Sequence, residues 1–169
     1  MQQTCGNARA LGHVVLNVTS LLRSVPFYVE ALGLRVVGRT DPADRNRIGD
    51  IVFLSFGVNH HDVGLREVPV NIGPAGPALH SAGPGLSHVA FRFGDRFDDL
   101  DHVVRKVMQA GAQGLRAADH GATRSVYFND PDGLGLEAYV GDDALPDSPL
   151  SIVARSLQID FDTGAVSHR

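Results

Sequence analysis

Histidine and carboxylate side chains are the groups in this sequence best suited to chemistry, and eight of its 169 residues are histidines. His13 and His88 each lie in a stretch rich in apolar and β-branched residues, and Glu137 lies between apolar residues of a third such stretch. Two imidazoles and one carboxylate on one side of a divalent ion leave its other positions open, which is the arrangement of non-haem Fe(II) oxygenases. We therefore predict that these three residues, the metal trio, hold a metal ion.

Each histidine of the metal trio also has a structural interpretation, because a single histidine within a strand is usually a hydrogen-bonded structural residue. Two observations favour the metal. His13 and His88 occupy equivalent places in two similar halves of the chain. One carboxylate also leaves a divalent ion net positive and therefore Lewis acidic.

Other side chains could move protons beside that metal. His60 and His61 are adjacent, so at most one of them can face the same cavity from a strand. His120 and Tyr127 precede Glu137 by 17 and 10 residues, and Tyr127 can neighbour Glu137 across a hairpin. A neutral histidine near a cation suits proton transfer at physiological pH, although His120 could also be a solvated loop residue. Three further histidines are predicted to be solvated: His80, His102 and His168.

Residues 10–68 are predicted to form one module of a strand, a helix and three strands. The first strand, 11–18, is rich in β-branched residues. The helix begins after a Ser20 cap, or at Ser24 if Pro26 is to lie in its first turn.

Residues 86–141 repeat the same order of elements. A strand at 86–93 precedes a helix at 98–110 with one apolar stripe, and three short strands follow. Residues 69–85, rich in glycine and proline, form a predicted linker long enough to cover a site. Neither module can bury both faces of its sheet alone. We therefore expect an α+β fold in which the modules pair into one curved mixed sheet around a cavity, followed by a C-terminal tail at 142–169.

Composition excludes several classes of function. With 43% hydrophobic and 20% charged residues, the chain is an ordinary globular domain. No run of eighteen apolar residues and no secretory signal pattern is present, so we expect no membrane partner. A net charge of −4, three Tyr and no Trp are typical of a poor nucleic-acid binder, so we expect no nucleic-acid partner. Cys5, the single cysteine of the sequence, fits a reducing cytoplasm.

These residues resemble the vicinal oxygen chelate superfamily, over residues 10–141. The similarity rests on short motifs, which are Gly12-His13-Val14, His61-Asp62-Val63-Gly64-Leu65, Ser87-His88-Val89-Ala90-Phe91, Asp119-His120-Gly121, and Tyr127-Phe128-Asn129-Asp130-Pro131-Asp132-Gly133 followed by Glu137. Within the superfamily the chain is most similar to one-domain type I extradiol (catechol 2,3-) dioxygenases, since the histidine and aspartate at the start of the fourth strand, together with His120 and Tyr127, are the more specific feature.

The resemblance implies a site and a reaction. Fe(II), or in some members Mn(II), would be held by the metal trio and chelated by both oxygens of a catechol, while O2 takes a further position. The ring would open beside the diol to give a yellow semialdehyde. His61 would act as acid and base, and His120 and Tyr127 would hydrogen-bond the substrate and the ring-opening intermediates. A homo-oligomer is also expected, since superfamily members often dimerise.

Two other activities fit the same fold. Glyoxalases and metal-dependent epimerases add a fourth ligand, Glu or Gln, on the last strand of the first module. Leu65 lies at about that place, although Glu67 could serve after a two-residue register shift. A metal-dependent lyase, isomerase or thiol transferase is thus the second candidate. A drug-binding protein of the bleomycin-resistance type is the third, but such proteins lack the metal trio.

Overall fold

The computed structural model describes residues 8, 10–41, 43, 49–69, 84–142 and 154–168. The predicted α+β class and the repeated order of elements are confirmed. The described elements are β1 (Val14–Val18), α1 (Leu21–Leu32), β2 (Arg35–Arg39), β3 (Ile51–Ser55), β4 (Val63–Glu67), β5 (Val89–Gly94), a 3₁₀ turn (Phe97–Asp99), α2 (Leu100–Gln109), β6 (Gln113–Asp119), β7 (Thr123–Asn129), β8 (Gly135–Gly141), β9 (Arg155–Ile159) and β10 (Val166–His168).

The strands form two mixed sheets. The first sheet has the order β1-β4-β3-β2, and the second has the order β10-β9-β6-β7-β8-β5. In each module the first strand pairs in parallel with the last, β1 with β4 and β5 with β8. Whereas the sequence predicts one curved sheet, backbone pairing in the described residues joins strands only within each sheet. The two modules meet instead through α1 and α2 and through the turn after β7.

Alternation along β1 decides which side chains are free to form a site. Leu16 and Val18 are buried in the core, whereas His13, Val15 and Asn17 are exposed on the opposite face. Such alternation is expected for a strand with one face packed and one face open. The predicted orientation of His13, on the face of Val15, therefore agrees with the structure.

Polar contacts fix α1 of the first module against the turn after β7 of the second. The Tyr28 hydroxyl donates to the Asp130 carboxylate at 2.9 Å, and both side chains are buried. At the start of the same helix, Arg23 ion-pairs with Asp132 at 2.5 Å. Burial raises the pKa of Asp130, and the hydrogen bonds it accepts partly offset that effect.

Helix α1 begins at Leu21, so Pro26 lies inside the helix rather than in its first turn. The Ser20 side chain makes no capping hydrogen bond. The Glu67 carboxylate, from the end of β4, accepts the Leu21 N–H at 2.7 Å instead. This carboxylate satisfies a free N–H of the first turn and complements the positive end of the helix dipole.

The tail at 142–169 contributes two strands to the second sheet. β9 pairs with β6, which buries Leu157, and β10 forms the outer edge. The predicted linker 69–85 lies outside the described residues, except for residues 69, 84 and 85, and so does His80. Within the described ranges, no helix has the length and apolar character needed to cross a membrane.

Candidate functional site

The first strand of each module begins directly after a histidine. His13 precedes β1 and His88 precedes β5. In both modules the residue directly after the histidine pairs with the last strand of the module. Val14 pairs with Val63 of β4, and Val89 pairs with Leu136 of β8. The equivalence inferred from the sequence is thus visible in the strand register.

A row of side chains crosses the second sheet on one face. Arg116 of β6 lies opposite Tyr127 of β7, which lies opposite Glu137 of β8, which lies opposite Ala90 of β5. Directly opposite residues project to the same face and contact one another. His88 lies two residues before Ala90, and its Nε2 atom is 2.9 Å from Glu137 Oε2. Two members of the metal trio are therefore adjacent.

A buried hydroxyl orients the carboxylate of Glu137. Ser125 Oγ donates to Glu137 Oε1 at 2.5 Å, and Ser125 has no solvent exposure. The Glu137 side chain is only 12% exposed. One carboxylate oxygen is thus held by Ser125 while the other points to His88. Partners of this kind fix the direction of a metal-binding carboxylate.

The predicted proton-handling residues of the second module also come together. His120 Nε2 lies 2.9 Å from the Tyr127 hydroxyl, and the Tyr127 ring is 5.5 Å from the His88 ring. Burial and the nearby Glu137 carboxylate raise the pKa of Tyr127, so its hydroxyl stays protonated. The other nitrogen of His120, Nδ1, is buried and has no hydrogen-bond partner among the described residues. We call His88, Ser125, His120, Tyr127 and Glu137 the second-sheet cluster.

His13 belongs to a separate cluster on the first sheet. Its ring centroid is 4.4 Å from that of His61, and the His61 ring also lies 4.9 Å from Phe53. His60 contacts the same ring, with 2.6 Å between the two Nδ1 atoms. The pKa of His61 is lowered, mainly by burial and to a smaller extent by the neighbouring His60 and His13. A neutral imidazole of this kind can accept a proton.

The structure does not bring the whole metal trio together. Among the described residues, no three His, Cys, Asp or Glu side chains form a group that could hold a metal ion. His88 and Glu137 lie in the second-sheet cluster, whereas His13 lies beside His61. The reason is architectural, since each histidine stands on its own sheet and the sheets are not joined by strand pairing.

Strand β4 offers no fourth carboxylate ligand beside His13. Gly64 and Arg66 lie opposite Val15 and Asn17, and Arg66 donates to Asn17 at 2.8 Å. Leu65 is fully buried in the core. Glu67 caps α1, as described above. Of the two residues considered for a fourth ligand, Leu65 therefore faces the core, and Glu67, exposed at the end of the strand, is engaged with α1.

Sequence reasoning missed Ser125 and Arg116, and it missed the contacts of His168. Ser125 could have been found, because alternation puts it on the face of Tyr127 two residues away. Arg116 could not, because a register shift between Gln113 and Arg116 decides its neighbour. His168 is exposed, as predicted, and its Nε2 also lies 2.9 Å from an Arg124 nitrogen and 3.4 Å from the buried Asp119 carboxylate. A long-range contact of the tail is invisible in the sequence.

A cavity opens beside the second-sheet cluster. Its volume is about 230 Å³, and its lining includes His88, Arg116, Tyr127 and Asn129. The imidazole of His88, the phenol of Tyr127 and the guanidinium of Arg116 thus share one pocket. Concave sites with a few convergent polar groups are typical of small-molecule binding.

The fold, with two modules of the same element order and a histidine before the first strand of each, defines the class to which the protein belongs. Comparison with protein families identifies that class. Residues 10–138 match the model of the Glyoxalase/Bleomycin resistance protein/Dioxygenase superfamily, and the chain belongs to this superfamily. The resemblance drawn from the sequence motifs is confirmed.

Curated relatives include several kinds of enzyme. Biphenyl-2,3-diol 1,2-dioxygenase 3 of Rhodococcus globerulus is 32% identical over 81% of this chain and 66% of its own length. Catechol-2,3-dioxygenase of Bacillus subtilis is 30% identical over 76% of this chain and 40% of its own length. Glutathione transferase FosA of Serratia marcescens is 28% identical over 79% of this chain and 82% of its own length. The chain thus spans less than two thirds of either dioxygenase.

Solved structures show the same fold. A glyoxylase/bleomycin resistance protein/dioxygenase domain from Frankia has a TM-score of 0.62 at 23% identity, covering 82% of this chain and 96% of that chain. A FosX variant from Listeria monocytogenes, complexed with Mn(II), has a TM-score of 0.58 at 17% identity and covers 81% and 94%. At these identities the likeness concerns the fold.

Proposed function

We propose that the protein is an extradiol ring-cleaving dioxygenase, which inserts O2 into a catechol-type aromatic diol with Fe(II), or alternatively Mn(II), as its metal. The observation that carries the proposal is the second-sheet cluster. It places His88 against Glu137 and, on the same face, Tyr127 against His120. A metal-ligand pair next to a protonated phenol and an imidazole is what diol binding and proton transfer require. The dioxygenase relatives add support.

The donor set fits a divalent ion in part. His88 and Glu137 supply one nitrogen and one oxygen within reach of each other, and Ser125 orients the carboxylate. His13 is the proposed third ligand, because its strand position is equivalent to that of His88. A divalent ion bound there would act as a Lewis acid toward both oxygens of a diol.

The protein's own groups have distinct proposed roles around that ion. Tyr127 donates its hydroxyl proton to a substrate oxygen, and His120 accepts or returns a proton through the 2.9 Å contact with that hydroxyl. His61, whose ring lies against the proposed ligand His13 on the first sheet, is the proposed acid and base. The buried faces of both sheets keep the backbone that carries these groups rigid.

A metal-dependent lyase, isomerase or thiol transferase is the second candidate function. FosA is nearly as similar as the dioxygenases and is covered more completely, which favours this reading. The residues of β4 argue against this second candidate, because the face beside His13 carries Gly64 and Arg66 rather than a fourth carboxylate. A binder of the bleomycin-resistance type stands third.

Oxygen uptake tests the proposal directly. The protein is loaded with Fe(II) without air, mixed with a panel of catechols and exposed to air, while O2 and visible absorbance are recorded. Stoichiometric uptake with a yellow product supports extradiol cleavage. Bound metal without uptake rejects it in favour of the second candidate, and absence of metal binding favours the binder. Glu137→Ala should abolish metal binding, with Glu30→Ala, an exposed carboxylate of α1, as the matched control.

We further propose a homo-oligomer that acts on small molecules in the cytoplasm. The single cysteine, Cys5, supports the cytoplasm, the net charge of −4 argues against nucleic acid as a partner, and the homo-oligomer is proposed because superfamily members often dimerise. Sedimentation of the purified chain measures the oligomeric state, and a monomer at all concentrations would contradict it.

A further inference from the structure

The guanidinium of Arg116 is held over the ring of Tyr127. Its Cζ atom lies 4.0 Å from the ring centroid, and Arg116 lies directly opposite Tyr127 in the sheet. Stacking of this kind attracts the cation to the ring face and fixes the plane of the guanidinium. The same Tyr127 ring contacts His88 on the metal side. Arg116 and His88 are therefore two walls of one cavity, both resting against Tyr127.

The charge of Arg116 is uncompensated within the part of the chain that the structure describes. No described carboxylate forms an ion pair with it, whereas Arg92 and Arg124 of the same sheet are paired with Asp95 and Asp119. Arg116 is exposed and so loses little hydration, and no hydrogen-bond acceptor among the described residues holds its N–H groups. An arginine presents a planar set of donors that matches a carboxylate, and stacking already limits its rotation.

We propose that the substrate carries an anionic substituent, a carboxylate on the aromatic diol, and that Arg116 binds it. This inference rests on the proposed function, because the diol itself is assigned to the His88 and Glu137 end of the cavity. The ring of such a substrate lies along Tyr127, and its carboxylate accepts from the guanidinium. Arg116 thereby selects charged diols over neutral ones without taking part in the chemistry.

Binding of a matched pair of probes tests the selection. Protocatechuate and its neutral amide differ in charge while sharing the diol and similar size. Their dissociation constants are measured by calorimetry with the Fe(II)-loaded protein in the absence of air. Wild-type protein should bind the carboxylate more tightly, and Arg116→Gln should weaken its binding roughly tenfold while changing the amide less than about twofold. Added salt should reduce the difference, since Arg116 is exposed.

Two further variants serve as controls. Arg116→Lys keeps the charge without the planar donors, so it should retain part of the preference. Arg39→Gln removes an exposed arginine of β2 on the other sheet and should change neither constant. Equal weakening of both probes by Arg116→Gln, no weakening of either, or no binding of the carboxylate by the wild type would each overturn the inference.

Oxygen consumption with the same two probes distinguishes a failure of the anion site from a failure of the proposed dioxygenase function. If both probes are oxidised with yellow products and Arg116→Gln leaves their kcat/KM ratio unchanged, the dioxygenase stands and the anion site is refuted. If neither probe consumes O2 but carboxylate binding depends on Arg116, the anion site stands and the dioxygenase is refuted.

Discussion

The buried hydroxyl of Ser125 gives the sharpest test of the proposed metal ligand Glu137. Replacing Ser125 with alanine removes one oxygen atom and leaves the backbone of β7 unchanged. Glu137 Oε1 then loses a 2.5 Å hydrogen bond. Because the Glu137 side chain is only 12% exposed, water cannot easily take the place of the hydroxyl.

The expected effect has two parts of known size. A carboxylate that loses a buried donor destabilises the fold by about 1–3 kcal/mol. Loss of a partner that orients a metal ligand typically lowers metal affinity about 10- to 100-fold, or about 1.4–2.7 kcal/mol. Ser125→Ala should therefore unfold at a lower temperature and bind Fe(II) or Mn(II) 10- to 100-fold more weakly.

Metal affinity is measured by competition with a chelator of known strength, beside thermal unfolding of the metal-free protein. Ser24→Ala is the matched control. Ser24 is equally buried and lies far from Glu137 in the sequence, and its hydroxyl is 3.3 Å from Asp132. It should lower stability without changing metal affinity. Equal metal affinity of Ser125→Ala and Ser24→Ala would refute the assignment of Glu137 as a ligand oriented by Ser125.

Three further predictions follow from individual contacts. Tyr28→Phe removes the donor to the buried Asp130 and should cost about 1–3 kcal/mol of unfolding free energy in urea, which an unchanged midpoint would contradict. His61→Phe should keep the metal content, measured by elemental analysis, while turnover falls strongly; loss of metal would instead make His61 a ligand. Although burial raises the pKa of Asp119, hydrogen bonds from Gly121 and Arg124 lower it on balance, below its usual value near 3.8. Its stabilisation is thus fully present above that value and is lost as pH falls through the lower folded pKa, so Asp119→Asn should flatten the acid side of the stability curve.

The sequence was sufficient to predict the module, because its signals are local. Alternating apolar residues around His13 and Glu137 locate the strands, whereas the parallel pairing of β5 with β8, which puts His88 near Glu137, is seen in the structure. What could not be predicted depends on long-range contacts. The cap of α1 comes from Glu67, which lies 46 residues beyond Leu21, rather than from the adjacent Ser20.

Register shifts and module packing account for the other differences. A shift in the pairing of β6 with β7 places Arg116 opposite Tyr127, and no turn signal in the sequence announces it. The neighbour of His13 is likewise set by how β4 begins, which brings the His61 ring against it. Symmetry between the halves of a sequence identifies equivalent residues, but it does not determine how the two sheets lie against each other.

The choice between the dioxygenase and a four-ligand lyase or isomerase depends on which residues of β4 lie on the same face as His13. Gly64 lies opposite Val15, as Glu137 lies opposite Ala90, so the place equivalent to Glu137 in the first module is a glycine. A Cβ atom there would come within 3.3 Å of the Val15 side chain, which leaves little room for a longer residue.

Glu67 cannot reach that face by a small adjustment of the strand. It has the same parity as Leu65, so a two-residue shift would move it from the exposed end of the strand to the core position of Leu65. A one-residue shift would turn it outward, but it would also expose Val63 and Leu65, both fully buried, at a cost of about 1.5–3 kcal/mol each. It would also remove the carboxylate that caps α1. The packing of the first module therefore supplies no fourth carboxylate beside His13, which favours the three-ligand site proposed for the dioxygenase over a four-ligand site.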